Sequence, residues 1–176
     1  MPSGALRRTS GNDNVKHSVK TGLSFGLTSA IITTLGLMVG LYSGTNSKIA
    51  VLGAVITIAL ADSMSDALGI HVSEESENKH SRGLIWEATF TTFFSKGITT
   101  ATFAVPVILF ELKKAILINL CWGFLLLGIF SVYLAKIQNI RKSRVLIEHF
   151  LIAGIVIIST YYVGLWVFKI FSGATQ

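Results

Sequence analysis

Apolar residues fall along the chain in five blocks, at about residues 23–42, 49–70, 84–110, 115–135 and 145–171. Each is close to or longer than the ~20 residues with which a helix crosses ~30 Å of hydrocarbon. The third and fifth are long enough to tilt or to extend beyond the hydrocarbon. The pattern predicts an all-α polytopic membrane protein. A polar tail (1–22) precedes a five-helix transmembrane domain (23–171), and a short C-terminal tail (172–176) follows it. The first block is not a signal peptide, because some twenty polar residues precede it and it is itself of spanning length. The polar tail reads as cytosolic chain or a short interfacial helix.

The loops orient these spans. Arg7, Arg8, Lys16 and Lys20 precede span one, and Lys136, Arg141, Lys142 and Arg144 cluster between spans four and five. The opposite connections hold Lys48 in one and Lys113 and Lys114 beside Glu111 in the other. By the positive-inside rule the N-terminus is cytosolic, and five crossings put the C-terminus outside. Half the residues are hydrophobic and only 14% are charged, well below the quarter or so of a soluble domain. The net charge of +6 is accounted for by topology and by anionic headgroups, and nothing in the chain suggests nucleic acid. Cys121, the single cysteine, is core or lipid-facing and excludes a disulfide framework within the chain.

Asp62 and Asp66 interrupt the second apolar block. A carboxylate inside a bilayer costs several kcal/mol unless paired, protonated or facing water, so such residues are kept for work on ions or protons. Their i, i+4 spacing puts both on one helix face. With 1.5 Å of rise per residue, Asp62 lies ~12 Å and Asp66 ~6 Å above the cytosolic end of span two, with Ser29 at ~9 Å and Thr33 at ~15 Å in span one. Hydroxyls and carboxylates therefore share a layer, in which Asp66, Asp62, Ser29 and Thr33 form the expected metal site. Lys96, ~15 Å deep in span three, has a stem that reaches several ångströms toward the inner surface. It either neutralises Asp62 as a structural pair or is a movable counter-charge that occupies the carboxylates when no metal is bound. Asp66 has no obvious second cation at its depth and is the better ligand.

Beneath the aspartates, the segment from His71 to Trp86 reads as a cytosolic loop. It carries Glu74, Glu75, Glu77 and His80, with His71 at its start and Glu87 at the foot of span three. Carboxylates and imidazoles together suit divalent first-row metals and would capture them from the cytosol. Equally, the loop is a solvated hairpin whose acids offset Lys79 and Arg82. In span one, Gly22, Gly26 and Ala30, then Gly36, Gly40 and Gly44, recur at four-residue intervals, a spacing that permits close backbone approach. Pro106 removes one helix hydrogen bond from span three and predicts a kink. Trp86, Trp166, Tyr161 and Tyr162 suit membrane interfaces.

The stretch Ser29-Ala-Ile-Ile-Thr-Thr-Leu-Gly-Leu-Met-Val-Gly-Leu41 resembles the first span of the vacuolar iron transporter family, whose members usually open it with Asp-Gly. Asp66-Ala-Leu-Gly-Ile-His-Val-Ser73 is similar to the family's second-span ending, where Met commonly begins the run and Gly-Glu-Tyr often follows. The pattern Ala88-Thr-Phe-Thr-Thr-Phe-Phe-Ser-Lys-Gly97 and the basic turn before span five are also similar, so the resemblance runs from Leu23 to Trp166. It implies a five-helix protomer that forms a homodimer, with a metal path lined by spans one and two of both subunits. It further implies export of Fe2+, often also Mn2+, from the cytosol in exchange for protons. Here Ser29 stands where the family has Asp, Asp66 where it has Met, and Ile70 where it has Glu. The chain resembles a short member, without the cytosolic metal-binding insertion between spans two and three.

These departures read as one change: the anionic ligand has moved from span one to span two, and a two-fold dimer would present Asp66 twice. Replacing a thioether by a carboxylate hardens the site and shifts preference toward manganese, magnesium or calcium. The expected function is a divalent metal transporter (Fe2+ and/or Mn2+) working by metal/proton exchange in the plasma membrane, with transported cation and protons as partners and no bound cofactor. The alternatives are a structural or partner-binding membrane protein and a proton-coupled carrier of a small organic cation. An enzyme is not expected, since the chain has no nucleophile triad, phosphate loop or zinc-protease motif. An intramembrane aspartyl protease would need its two aspartates on different helices.

Overall fold

A computed structural model describes residues 11–77 and 81–172. Six helices make up the described chain: α1 (Gly11–Thr45), α2 (Lys48–Ser76), α3 (Arg82–Thr102), α4 (Ala104–Leu109), α5 (Leu112–Gln138) and α6 (Lys142–Ser172). They contain five spans long and apolar enough to cross a membrane, Gly22–Thr45, Lys48–Ser76, Arg82–Leu109, Leu112–Gln138 and Lys142–Ser172. The protein is thus an all-α, multi-pass membrane protein with the expected number and order of spans. Helix α1 is already helical at Gly11, the first described residue, well before the apolar part of its sequence.

Short turns join α1 to α2 and α5 to α6 because the chain supplies the right residues at each end. Asn46 takes the left-handed conformation at φ 46°. Ser47 then caps α2, its Oγ accepting from the Ala50 N–H at 3.2 Å. Asn139 closes α5 in the same left-handed conformation at φ 55°, and the Ile140 N–H bonds back to the Ala135 carbonyl at 3.0 Å. Such αL residues satisfy carbonyls that the helix end orphans. Lys48 places its ammonium at 3.1 and 3.0 Å from the carbonyls of Ile108 and Phe110, at the negative end of α4.

Span three breaks between α3 and α4. Pro106 has no N–H for the Thr102 carbonyl and its ring crowds that group, so the helix opens there. Asn119 of α5, 1% exposed, donates its Nδ2 to the Phe103 carbonyl at 3.0 Å. Irregular backbone at membrane depth is tolerated where a neighbour pairs it in this way.

Glycine stripes set the packing. Helix α1 lies against α3 through Gly22 and Gly26, where an added Cβ would come within 2.6 Å of the Ala88 carbonyl oxygen and 2.2 Å of Ser95 Oγ. The second stripe meets α6: a Cβ on Gly36 would be 2.7 Å from Val156, and one on Gly40 3.2 Å from the Thr160 carbonyl oxygen. Both stripes are therefore used in packing within the chain. Helix α2 packs on α3, and α5 on both α1 and α6. The apolar core gathers Ile31, Leu35, Met38, Val51, Val55, Phe103, Val107 and Leu127 in the half of the bundle nearer the α1–α2 turn.

Candidate functional site

The polar residues of the other half converge between α1, α2 and α3. Side chains of a helix lean toward its N-terminus, so Lys96, rising in α3, extends downward along the facing helix α2. Its neighbour Gly97 lets α2 approach: an added Cβ there would meet the Ala59 carbonyl oxygen at 3.1 Å. On α2, Ser63, Ala67 and Glu74 mark the buried face, and Asp62 and Asp66 flank it.

Lys96, only 1% exposed, forms ion pairs with both aspartates. Its Nζ is 2.6 Å from Asp62 Oδ2, and it also donates directly to Asp66 Oδ2. Ser29 of α1 completes the group: Nζ donates to its Oγ at 2.9 Å, and that Oγ donates to Asp66 Oδ2 at 2.8 Å. Asp62 Oδ2 is buried and lacks a hydrogen bond despite its ion pair. Ser63 Oγ, fully buried beside it, has no hydrogen-bond partner either. Three helices are thus tied by one lysine that faces two aspartates.

Lys96 thus occupies both carboxylates rather than Asp62 alone, and Asp66 shares its cation with Asp62. The reason is the i, i+4 spacing itself: a lysine opposite the gap between two successive turns reaches both. Ser29 joins Asp66 as the comparison of depths anticipates. Thr33 does not reach the cluster; it is exposed, while its neighbour Thr34 is fully buried and donates to Thr100 Oγ1 at 3.4 Å.

The segment after Ile70 is helix rather than loop. No glycine or proline follows Ile70 before Ser76, and α2 continues through Ser76. His71 packs into the bundle, with Nδ1 3.0 Å from Thr89 Oγ1 and its ring edge-on to Trp86 at 4.6 Å between centroids. Glu74 is buried at 8% exposure, whereas Glu75 and Glu77 are exposed and Glu87 is half-buried. His71 and Glu75 share a recess of about 250 Å³ with Arg82 and Trp86. His80 lies outside the described residues, as do the first ten residues with Arg7 and Arg8. Among the described residues, no group of three or more His, Cys, Asp or Glu side chains stands close enough to hold a metal ion. The residues expected to capture metal are thus dispersed along the end of α2 and the start of α3.

Two further buried polar groups escaped the sequence reading. Asn119 leaves its Oδ1 buried and unpaired while Nδ2 serves the span-three break. In α5, fully buried Ser131 donates to the Leu127 carbonyl and lies 2.7 Å from His149 Nδ1 on α6. A lone Asn or His inside an apolar span is the signal that marks both.

No family model, curated protein or solved structure matches the chain.

Proposed function

We propose that the chain is a divalent-cation carrier of the vacuolar iron transporter kind, exporting Fe2+ and/or Mn2+ from the cytosol across the plasma membrane in exchange for protons. One observation carries this reading: a buried ammonium sits against two intramembrane carboxylates and a serine hydroxyl. A cation already occupies the place that a transported cation would take. Such a cluster is held ready by three helices, and it offers two carboxyl groups to a single lysine.

In this mechanism a metal ion displaces the Lys96 ammonium from Asp66, with Asp62 and the Ser29 hydroxyl as the adjoining oxygen donors. The flexible lysine stem supplies the movement. Metal ligation needs deprotonated carboxylates, so protons arriving from the other face compete for the same oxygens and favour release; Lys96 then returns to the carboxylate left unprotonated. Two carboxylates from one protomer are few for a divalent ion. A two-fold homodimer that brings α1 and α2 of both subunits together would double them. Glu75, Glu77 and Glu87, exposed or half-exposed near the ends of α2 and α3, would raise the local cation concentration at the entrance.

The near-complete burial of Lys96 favours one second reading, a non-transporting protein in which the cluster only fastens α1, α2 and α3 together. Manganese binding separates the two. Free Mn2+ is followed by its electron paramagnetic resonance signal as it is titrated into the detergent-solubilised protein. The carrier reading expects saturable binding that weakens on acidification and is lost in Asp66→Asn. A signal that never falls below that of a protein-free control, together with no Fe2+ retained by the folded protein in anaerobic equilibrium dialysis, leaves the fastener.

A further inference from the structure

Helices α3 and α5 both pack on α1 with little contact between each other, and an apolar groove of about 410 Å³ lies between them. Its floor is one face of α1, Leu23, Leu27 and Ile31, and its walls carry Ile98 from α3 and Ile129 from α5. At one end, Trp122 Nε1 donates to Thr102 Oγ1 at 3.2 Å and closes the groove. At the other end stands Tyr133, 46% exposed.

The levels follow from the antiparallel register of α1 and α5, in which Leu35 meets Gly123 and Met38 meets Asn119. Continuing that register puts Leu23 level with the turn after Tyr133. From Trp122 to Tyr133 the groove runs ~16 Å at 1.5 Å per residue, the depth of one leaflet of a ~30 Å hydrocarbon core. Below its mouth, Lys20 lies one turn before Leu23 on the same face of α1, and Lys136 one turn after Tyr133 on α5. Both are exposed.

We infer that this groove is a binding site for an anionic phospholipid, with one acyl chain laid on α1 and the phosphate held between Lys20 and Lys136. An apolar slot of leaflet depth, an interfacial tyrosine at its opening and two cations at headgroup level match the amphipathic outline of a single lipid. The inference is independent of the cargo assigned to the aspartate cluster.

Trp122 is a built-in reporter. In a Trp86→Phe/Trp166→Phe background, reconstituted into bilayers, its fluorescence is quenched by chain-brominated phosphatidylglycerol or phosphatidylcholine diluted into unbrominated phosphatidylcholine. The expected result is quenching at several-fold lower mole fraction of phosphatidylglycerol. That preference weakens in Lys20→Gln and in Lys136→Gln, is lost when both lysines are removed, and inverts in the Lys20→Glu/Lys136→Glu pair. Quenching by phosphatidylcholine stays unchanged throughout. Equal quenching by the two lipids in the parent protein overturns the site, and so does a preference that survives loss of both lysines. Absence of quenching by either lipid means that protein covers the groove, such as a second copy of the chain, and overturns it equally.

Discussion

Replacing Lys96 by methionine removes the one cation of the buried cluster while keeping the volume and apolarity of its stem. Asp62 and Asp66 then face each other's charge across one turn of α2, with side chains only 30% and 21% exposed. Breaking a buried ion pair by removing one partner costs about 3–5 kcal/mol, because the other charge is left uncompensated. The partial exposure of both carboxylates, and their capacity to take up a proton, argue for the lower end, about 3 kcal/mol. For a chain of this size each kcal/mol moves the midpoint by about 2–4 °C, so a loss of about 6–12 °C is expected. Circular dichroism at helix wavelengths, followed through thermal unfolding in a mild detergent, measures it. The triple variant Asp62→Asn/Asp66→Asn/Lys96→Met should regain most of the loss, since no charge is then buried and the three changes are coupled through one contact group. A Lys96→Met midpoint within 2 °C of the parent at neutral pH refutes the reasoning. So does a triple variant no more stable than the single one.

Gly26→Val should destabilise by about 1–3 kcal/mol, because its Cβ would lie 2.2 Å from Ser95 Oγ and 3.0 Å from the Thr92 carbonyl oxygen; Gly69→Ala, with open space around the added carbon, should instead gain up to about 1 kcal/mol of helix propensity, and the same melts rank the two. Asn119→Leu takes the donor from the Phe103 carbonyl but also removes an unpaired Oδ1, so it should cost about 1 kcal/mol, near the low end for a stranded buried group; the melt again reads it. Glu75→Gln/Glu77→Gln should raise the metal concentration for half-maximal transport and flatten its dependence on ionic strength.

The spans were legible because a bilayer imposes one simple demand, some twenty apolar residues in succession, and the chain meets it five times. Depth counting brought Ser29 and Asp66 into one layer, and the structure hydrogen-bonds them at 2.8 Å. The second partner of Lys96 was harder to see. Counting rise per residue and allowing for the stem's reach toward the inner surface leaves open whether Lys96 meets one aspartate or both; the stem drops toward the N-terminus of its own helix and spans the two. Thr33 and Thr34 differ by one position, and only the rotation of α1, set by its glycine contacts with α3 and α6, decides which hydroxyl turns inward. The helical continuation of α2 past Ile70 was hidden by composition: a polar, acidic run reads as a loop, although glutamates sustain a helix as well as most residues do. Asn119 is legible in hindsight from Pro106, since a broken span creates carbonyls that a neighbouring helix must pair.

The central claim is that the aspartate cluster exchanges a divalent cation for protons, and the most direct measurement is metal-driven proton movement. The purified protein is reconstituted into liposomes loaded with a pH-sensitive dye, and Fe2+, Mn2+, Mg2+ or Ca2+ is added outside, for the native chain and Asp66→Asn. The account predicts a pH change inside the vesicles that depends on the metal, saturates with it and disappears in the variant. Liposomes that hold the folded native protein and show no flux with any of the four ions, or a flux that Asp66→Asn leaves intact, would contradict it.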